Sequence, residues 1–251
     1  MSNISILCPT RNRPNNIQAL VYSAQETASE FQELEFVFYI DDDDIVSEEK
    51  IKELNLPNIK YIIGDRVVLS QMWNECYNKA SADVFMHCGD DILFKSKNWD
   101  IEILNAFDLY EDKIVLVYGN DLAHGRGLST HGFFHREWVE AVGYFCPPYF
   151  SSDWNDVWLY RMGESIKRLH YLPEVVTEHL HPTVARPGTE NRLFKGPNCS
   201  FEDFNGKAEW DSTHQERVDR GKKDKVGKLF KSPEMTQKRK SDIDKLLHKM
   251  K

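Results

Sequence analysis

Two short apolar runs in this chain end abruptly in acid. Glu35-Phe36-Val37-Phe38-Tyr39-Ile40 is followed by four aspartates, Asp41 to Asp44, and Val84-Phe85-Met86-His87-Cys88 is followed by Gly89-Asp90-Asp91. Runs this short, rich in β-branched and aromatic residues, read as buried strands bounded by loops. Carboxylates therefore collect where strands stop. In an open α/β sheet ligands bind beyond the carboxyl ends of the strands, so the pattern constrains the fold and the place of its chemistry together.

The neighbouring segments supply the rest of such a sheet. Ile4 to Cys8 reads as a strand that Pro9 ends, and the loop Pro9-Thr10-Arg11-Asn12-Arg13-Pro14 leads into a helix. Pro14 suits the first turn, and Ile17, Leu20, Val21 and Ala24 recur at helical spacing. Strand, helix, strand is the opening of a parallel sheet. The alternation continues with a strand over Ile59 to Ile63, an amphipathic helix over Val67 to Lys79, a helix over Trp99 to Tyr110 and a strand over Ile114 to Tyr118.

Beyond residue 119 the alternation weakens into a mixed region. It holds the loop glycines Gly119, Gly125 and Gly127, the apolar Gly132-Phe133-Phe134, helices over Glu137 to Val142 and Val157 to Met162, and a strand over Val175 to Glu178. Residues 182–209, rich in Pro and Gly, read as a long loop of the kind that serves as a lid. Ser232-Pro233 opens a last helix on which Ile243, Leu246, Leu247 and Met250 share a face. There is no internal repeat.

Composition limits the classes available. With 251 residues, 41% hydrophobic and 29% charged, the chain forms one ordinary domain with at most a small appendage, and is neither disordered nor low in complexity. No run approaches the roughly 20 apolar residues of a membrane span, and no leader pattern opens the chain, so a cytoplasmic protein is expected. Five cysteines without a C-x-x-C pair fit reduced thiols better than a disulfide framework. Charge is unevenly placed: residues 217–251 hold 13 Lys/Arg against 5 Asp/Glu, which leaves about −16 on the first 216 residues of a chain whose total is −8. An acidic body carries a basic tail.

Adjacent carboxylates at Asp90-Asp91 raise each other's pKa unless something positive sits beside them. A divalent ion resolves the conflict, and oxygen ligands suit Mg2+ or Mn2+. Alternation along Glu178-His179-Leu180-His181 puts both histidines on one face, where either is a candidate ligand. Arg11, Arg13 and Arg66 lie beside strand ends and are candidates to pair phosphates, or else to neutralise the acidic loops. Asp153 and Asp156 imitate a capping box at the start of a helix. A carboxylate held ionised there is equally a candidate general base.

In order and spacing these pieces resemble the inverting, family-2-like glycosyltransferases of the GT-A fold, over roughly residues 3 to 182. The pieces are ISILCPTRNRP, FVFYIDDDD, WNECYNKASADVFMHCGDD, HGFFHREWVEAVGYF and SSDWNDVWLYRM. HLHP and the later GKAEWDSTH are similar to small bacteriophage and viral members. The resemblance implies an α/β GT-A domain over 1–220, a Rossmann-like mixed sheet flanked by helices, with a helical extension over 221–251. It implies a nucleotide-sugar donor lying on Pro9, Thr10, Arg11, Arg13, Asp41, Arg66, Asn74 and Asp90. Asp90 would hold Mn2+ or Mg2+ together with Asp91 and His181 or His179, and Asp156 or Asp153 would be the base. His131 and Trp154 would lie on the acceptor side.

The chain departs from the family pattern at Cys88, which stands where the first Asp of the metal motif belongs. The acceptor could be a glycan or a protein. The basic tail and a stacking Trp154 would also suit a hydroxymethylated base in DNA. A nucleotidyltransferase would need a Gly-rich, Lys-containing loop after the first strand, and PTRNRP has no Gly. An inactive nucleotide- or sugar-binding module is the non-enzyme alternative.

Overall fold

A computed structural model describes residues 3–150, 154–180 and 223–251. Eight strands form one mixed sheet in the order β3-β2-β1-β4-β7-β6-β8-β5. They are β1 (Ile4–Thr10), β2 (Leu34–Asp41), β3 (Ile59–Gly64), β4 (Val84–His87), β5 (Ile92–Phe94), β6 (Leu116–Asn120), β7 (Gly132–His135) and β8 (Leu169–His179). The first four in sequence are parallel, β7 runs antiparallel to both β4 and β6, β8 is parallel to β6, and β5 is antiparallel to β8.

Side-chain alternation divides the core between the two faces of this sheet. Ile4, Ile6 and Cys8 of β1 and Leu34, Phe36, Phe38 and Ile40 of β2 point to one face, and Leu7, Val37 and Tyr39 to the other. On the first face lie α1 (Pro14–Thr27), α2 (Ile45–Leu54) and α4 (Trp99–Asp108), with Leu20, Ile51 and Ile103 among the residues they bury. On the second lie α3 (Leu69–Lys79), α5 (Arg136–Val142) and α6 (Asn155–Ser165), through Trp73, Trp138 and Trp158. Helices covering both faces explain why the parallel strands are apolar on both sides.

The C-terminal helices, α7 (Lys223–Phe230) and α8 (Pro233–Lys249), pack on the second face. Ser232 caps α8 by accepting the Met235 N–H at 3.2 Å, and Pro233 fills the first turn. Phe230, Met235 and Leu246 enter the core. Asp242, 2% exposed, accepts the hydroxyls of Tyr144 at 2.7 Å and Tyr149 at 3.2 Å, and Lys249 pairs with Glu137 at 2.8 Å. The last helix thus folds back on the body. Its apolar face differs from the expected one at Leu247, which is 41% exposed. Among the described residues no helix is long and apolar enough to cross a membrane, and Cys8, Cys76, Cys88 and Cys146 are buried free thiols. The expected lid over 182–209 lies outside the described residues.

One irregularity sets the position of β8. Gly119 pairs with Leu172, but Asn120 pairs with Val176, so Pro173 to Val175 are looped out of the ladder with β6. A Cβ on Gly119 would sit 2.3 Å from the carbonyl oxygen of Val175, and only glycine permits that approach. Past this bulge β8 turns to β5, with His179 opposite Ile92.

Candidate functional site

The topology brings three loops to one edge that a purely parallel sheet would separate. Parallel β4 ends where antiparallel β7 and β5 begin, so Asp90-Asp91, His131 and the last residue of β8, His179, meet there. Ligand atoms of Asp91, His131 and His179 all lie within 4.8 Å of one another. His179 Nε2 is 3.5 Å from an Asp91 oxygen, and the two imidazoles meet edge to face at 4.7 Å between centroids. Gly89 makes this possible: a Cβ there would lie 2.7 Å from Asp91 Oδ1 and 3.3 Å from the His131 ring. Its N–H lies 3.4 Å from His131 Nδ1, within reach to donate, while His131 Nε2 is buried with no hydrogen-bond partner.

Electrostatics tunes the three side chains in different directions. Burial disfavours the Asp91 carboxylate, but His179, Arg13 and His131 together outweigh it and hold the group well below the usual range. Burial and the neighbouring His179 push His131 down to about 3, so it is a neutral donor. Burial opposes charge on His179 too, yet Asp91 prevails and raises its pKa. An ionised carboxylate, a neutral imidazole and a second imidazole held by that carboxylate form a set that fits a divalent ion. Two nitrogens among three ligands favour Mn2+ over Mg2+, which prefers oxygen.

Asp90 faces the other way. Its carboxylate takes the Thr10 hydroxyl at 2.7 Å and the Arg13 guanidinium at 2.8 Å, and both Asp90 and Arg13 are buried. Of the two expected carboxylates Asp90 and Asp91, the structure brings Asp91 to the histidines, and of the two readings of Arg13 it shows the pairing with an acidic group, Asp90. Cys88 is fully buried beside Cys8, which corrects any expectation of a ribose contact there.

On the β1–β2 side Arg11 bridges two aspartates. It reaches buried Asp41 at 2.9 Å and donates to Asp43 at 3.0 Å, and Arg66 approaches Asp41 at 3.8 Å. Asn12, at φ 52°, donates its N–H to Asp44 at 2.7 Å while Asp44 also caps α2 through Ser47 N at 3.1 Å. Arg11, Asp41 and Arg66 therefore meet in one charged cluster past the ends of β1 and β2, while Pro9 is buried in β1 and Thr10 bonds Asp90. Asn74 does not offer itself to a donor: it clamps the chain at residues 145–146. Its Oδ1 accepts from Phe145 N and Cys146 N, and its Nδ2 donates to Ser70 O and Cys146 O.

The helix α6 starts differently from the expected capping box. Trp154 stands at the cap in left-handed conformation, φ 77°, with no side-chain cap bond. Asp156, half-buried in the first turn, accepts the Val157 N–H at 2.7 Å, and its charge helps raise the pKa of His179. It lies on the same side as the imidazoles. Trp154 packs on Phe230 at 4.8 Å, so α7 occupies a face that base stacking would use. Asp153 and His181 lie outside the described residues. His131 as a ligand was not foreseen from the sequence; the signal was its place one residue before a strand, which mattered only once β7 proved antiparallel.

Neither a protein-family model nor a curated protein matches the sequence. Solved structures share its fold. A mannosyltransferase of Pyrobaculum calidifontis, PcManGT, in complex with GDP-Man and Mn2+, superposes with a TM-score of 0.57 at 15% identity, over 76% of this chain and 59% of that one. S. aureus TarS 1–349 in complex with UDP-GlcNAc gives 0.54 at 15% identity, over 74% of this chain and 62% of that one. The chain spans about three fifths of the length of these structures. The likeness is one of fold: an α/β architecture with a mixed sheet and helices on both faces.

Proposed function

We propose that the chain is a GT-A, metal-dependent, inverting glycosyltransferase that moves a sugar from a nucleoside diphosphate donor to an acceptor hydroxyl. The observation that carries this reading is the Asp91-His131-His179 cluster, placed at the same strand ends of the sheet as the Arg11-Asp41-Arg66 charge cluster. The fold shared with two nucleotide-sugar complexes supports it.

Asp91, His131 and His179 would hold the ion, which when bound supplies Lewis acidity to a diphosphate leaving group. Asp41, buried at the end of β2, would take the nucleoside, and Arg66 would offer charge to the phosphates. Asp156, kept ionised by the N-terminus of α6, would accept the proton of the attacking hydroxyl. A single in-line displacement inverts the anomeric carbon. With Trp154 against Phe230, the ring that would stack a base is engaged within the protein, and a glycan or protein hydroxyl is the acceptor class favoured.

The test is release of nucleoside diphosphate from UDP- and GDP-sugars, with mass readout of product, in Mn2+ and in chelator. Turnover in Mn2+ that stops in chelator supports the reading, and full turnover in chelator overturns it. Nucleotide binding without turnover on any donor would identify a binding module. Asp156→Asn is expected to cut turnover about a hundredfold or more while nucleotide binding persists. An equally active variant would remove Asp156 from the base role.

A further inference from the structure

The loop from β6 to β7 is organised around one carboxylate. Asp121, 3% exposed, accepts on Oδ1 the N–H groups of Ala123, His124 and Gly125 at 2.9, 2.7 and 2.9 Å. Its Oδ2 takes the Thr130 hydroxyl at 3.0 Å and faces His124 Nδ1 at 2.9 Å. Its main-chain carbonyl accepts the His179 N–H at 3.1 Å. These bonds hold a turn that the chain would otherwise avoid, since Leu122 has φ 59°, a left-handed region that side chains disfavour.

Both histidines of the metal cluster stand at the margins of strands, where backbone position is set by the loops. His131 follows Thr130 directly, and His179 is the last residue of β8. One residue reaches both: Asp121 holds the first through the Thr130 side chain and the second through its own carbonyl.

We propose that Asp121 is a positioning residue: it fixes His131 and His179 relative to each other, and the affinity of the cluster for a divalent ion depends on it. The inference depends on the reading of Asp91, His131 and His179 as ligands. Groups behind metal-binding histidines commonly set affinity without touching the ion, at 10- to 100-fold per residue. Here the effect passes through the backbone.

Free Mn2+ measured by electron paramagnetic resonance during titration of the purified protein tests this without an activity assay. Asp121→Ala is expected to weaken Mn2+ binding by about 10- to 100-fold. Asp121→Asn, whose oxygen keeps the three N–H bonds but whose amide nitrogen cannot accept from Thr130, is expected to fall between it and the parent. Leu246→Ala, which loosens α8 far from the loop, serves as a control: a merely structural role for Asp121 would leave its variants, like this control, with the affinity of the parent. A folded Asp121→Ala protein that binds Mn2+ within twofold of the parent overturns the proposal. If that variant does not fold, the same criterion applied to Asp121→Asn decides it. A parent protein that binds no Mn2+ overturns the ligand reading itself, an outcome visible before any variant is made.

Discussion

On one side of the strand-end edge Asp41, Asp43 and Asp90 each meet an arginine, and on the other Asp91 meets two imidazoles. The aspartates at the ends of β2 and β4, two parallel strands that flank β1, have thus been given different partners. A guanidinium is charged at every accessible pH, so the arginine side settles its charge within the chain. An imidazole can turn a neutral lone pair to a neighbour. The histidine side is therefore built to be completed from outside, and changes on the two sides should break different properties.

The largest effect is expected on the histidine side. Asp91→Asn should abolish Mn2+ binding and lower turnover by roughly a thousandfold, the scale of a lost electrostatic contact to a developing charge, with the folded state retained by circular dichroism. Loss of the fold instead of the metal would erase the contrast. On the arginine side, Arg13→Met strands a buried carboxylate, and urea unfolding should show a loss of about 3 kcal/mol or more, with Mn2+ affinity within a few fold of the parent. A stable variant that has lost Mn2+ would mean that the two sides are one site.

The smallest effect sharpens the boundary between them. His87 lies buried on β4, its ring tilted against Trp73 at 3.9 Å between centroids, and burial pushes it down to about 4. Below about 6.5 the unfolded chain takes up a proton here that the folded protein refuses until about pH 4. Stability is therefore full above 6.5 and is lost as pH falls toward 4, by about 2 kcal/mol between pH 7 and 5. His87→Gln should flatten the fall in unfolding free energy over that interval by this amount. An unchanged slope would place the acid sensitivity elsewhere, with His131 the next group to vary.

The sequence revealed the edge but not how it is shared. The first strands and helices were legible because Ile4–Cys8, Glu35–Ile40 and Val84–Cys88 are apolar on both faces, which only a covered parallel strand requires. Helix α2 was missed because it buries little apolar surface: Ile45 and Val46 are exposed, and its start is fixed by the Asp44 cap. β5 was missed because it is only three residues long. Which of Asp90 and Asp91 meets the histidines was not legible, since adjacent residues have the same chemistry and only the direction of each side chain separates the histidine cluster from the ion pair. Asn74 and Trp154 read as binding groups because nothing in their own neighbourhood announces the residues 145–146 and 230 that occupy them.

The bulge at Gly119 also says something about how such a site can change over generations. His179 reaches Asp91 only because Pro173 to Val175 are looped out before β8 joins β5. An insertion of one residue in that excursion, absorbed by sliding along β5, would carry Glu178 into the place of His179; a deletion would carry Leu180 there. The first outcome exchanges a nitrogen for a carboxylate oxygen and shifts the preference toward harder cations such as Mg2+, and the second leaves no ligand. Under the proposed metal role, metal choice in descendants of this chain is thus open to change by length as well as by substitution, through three residues outside the cluster itself.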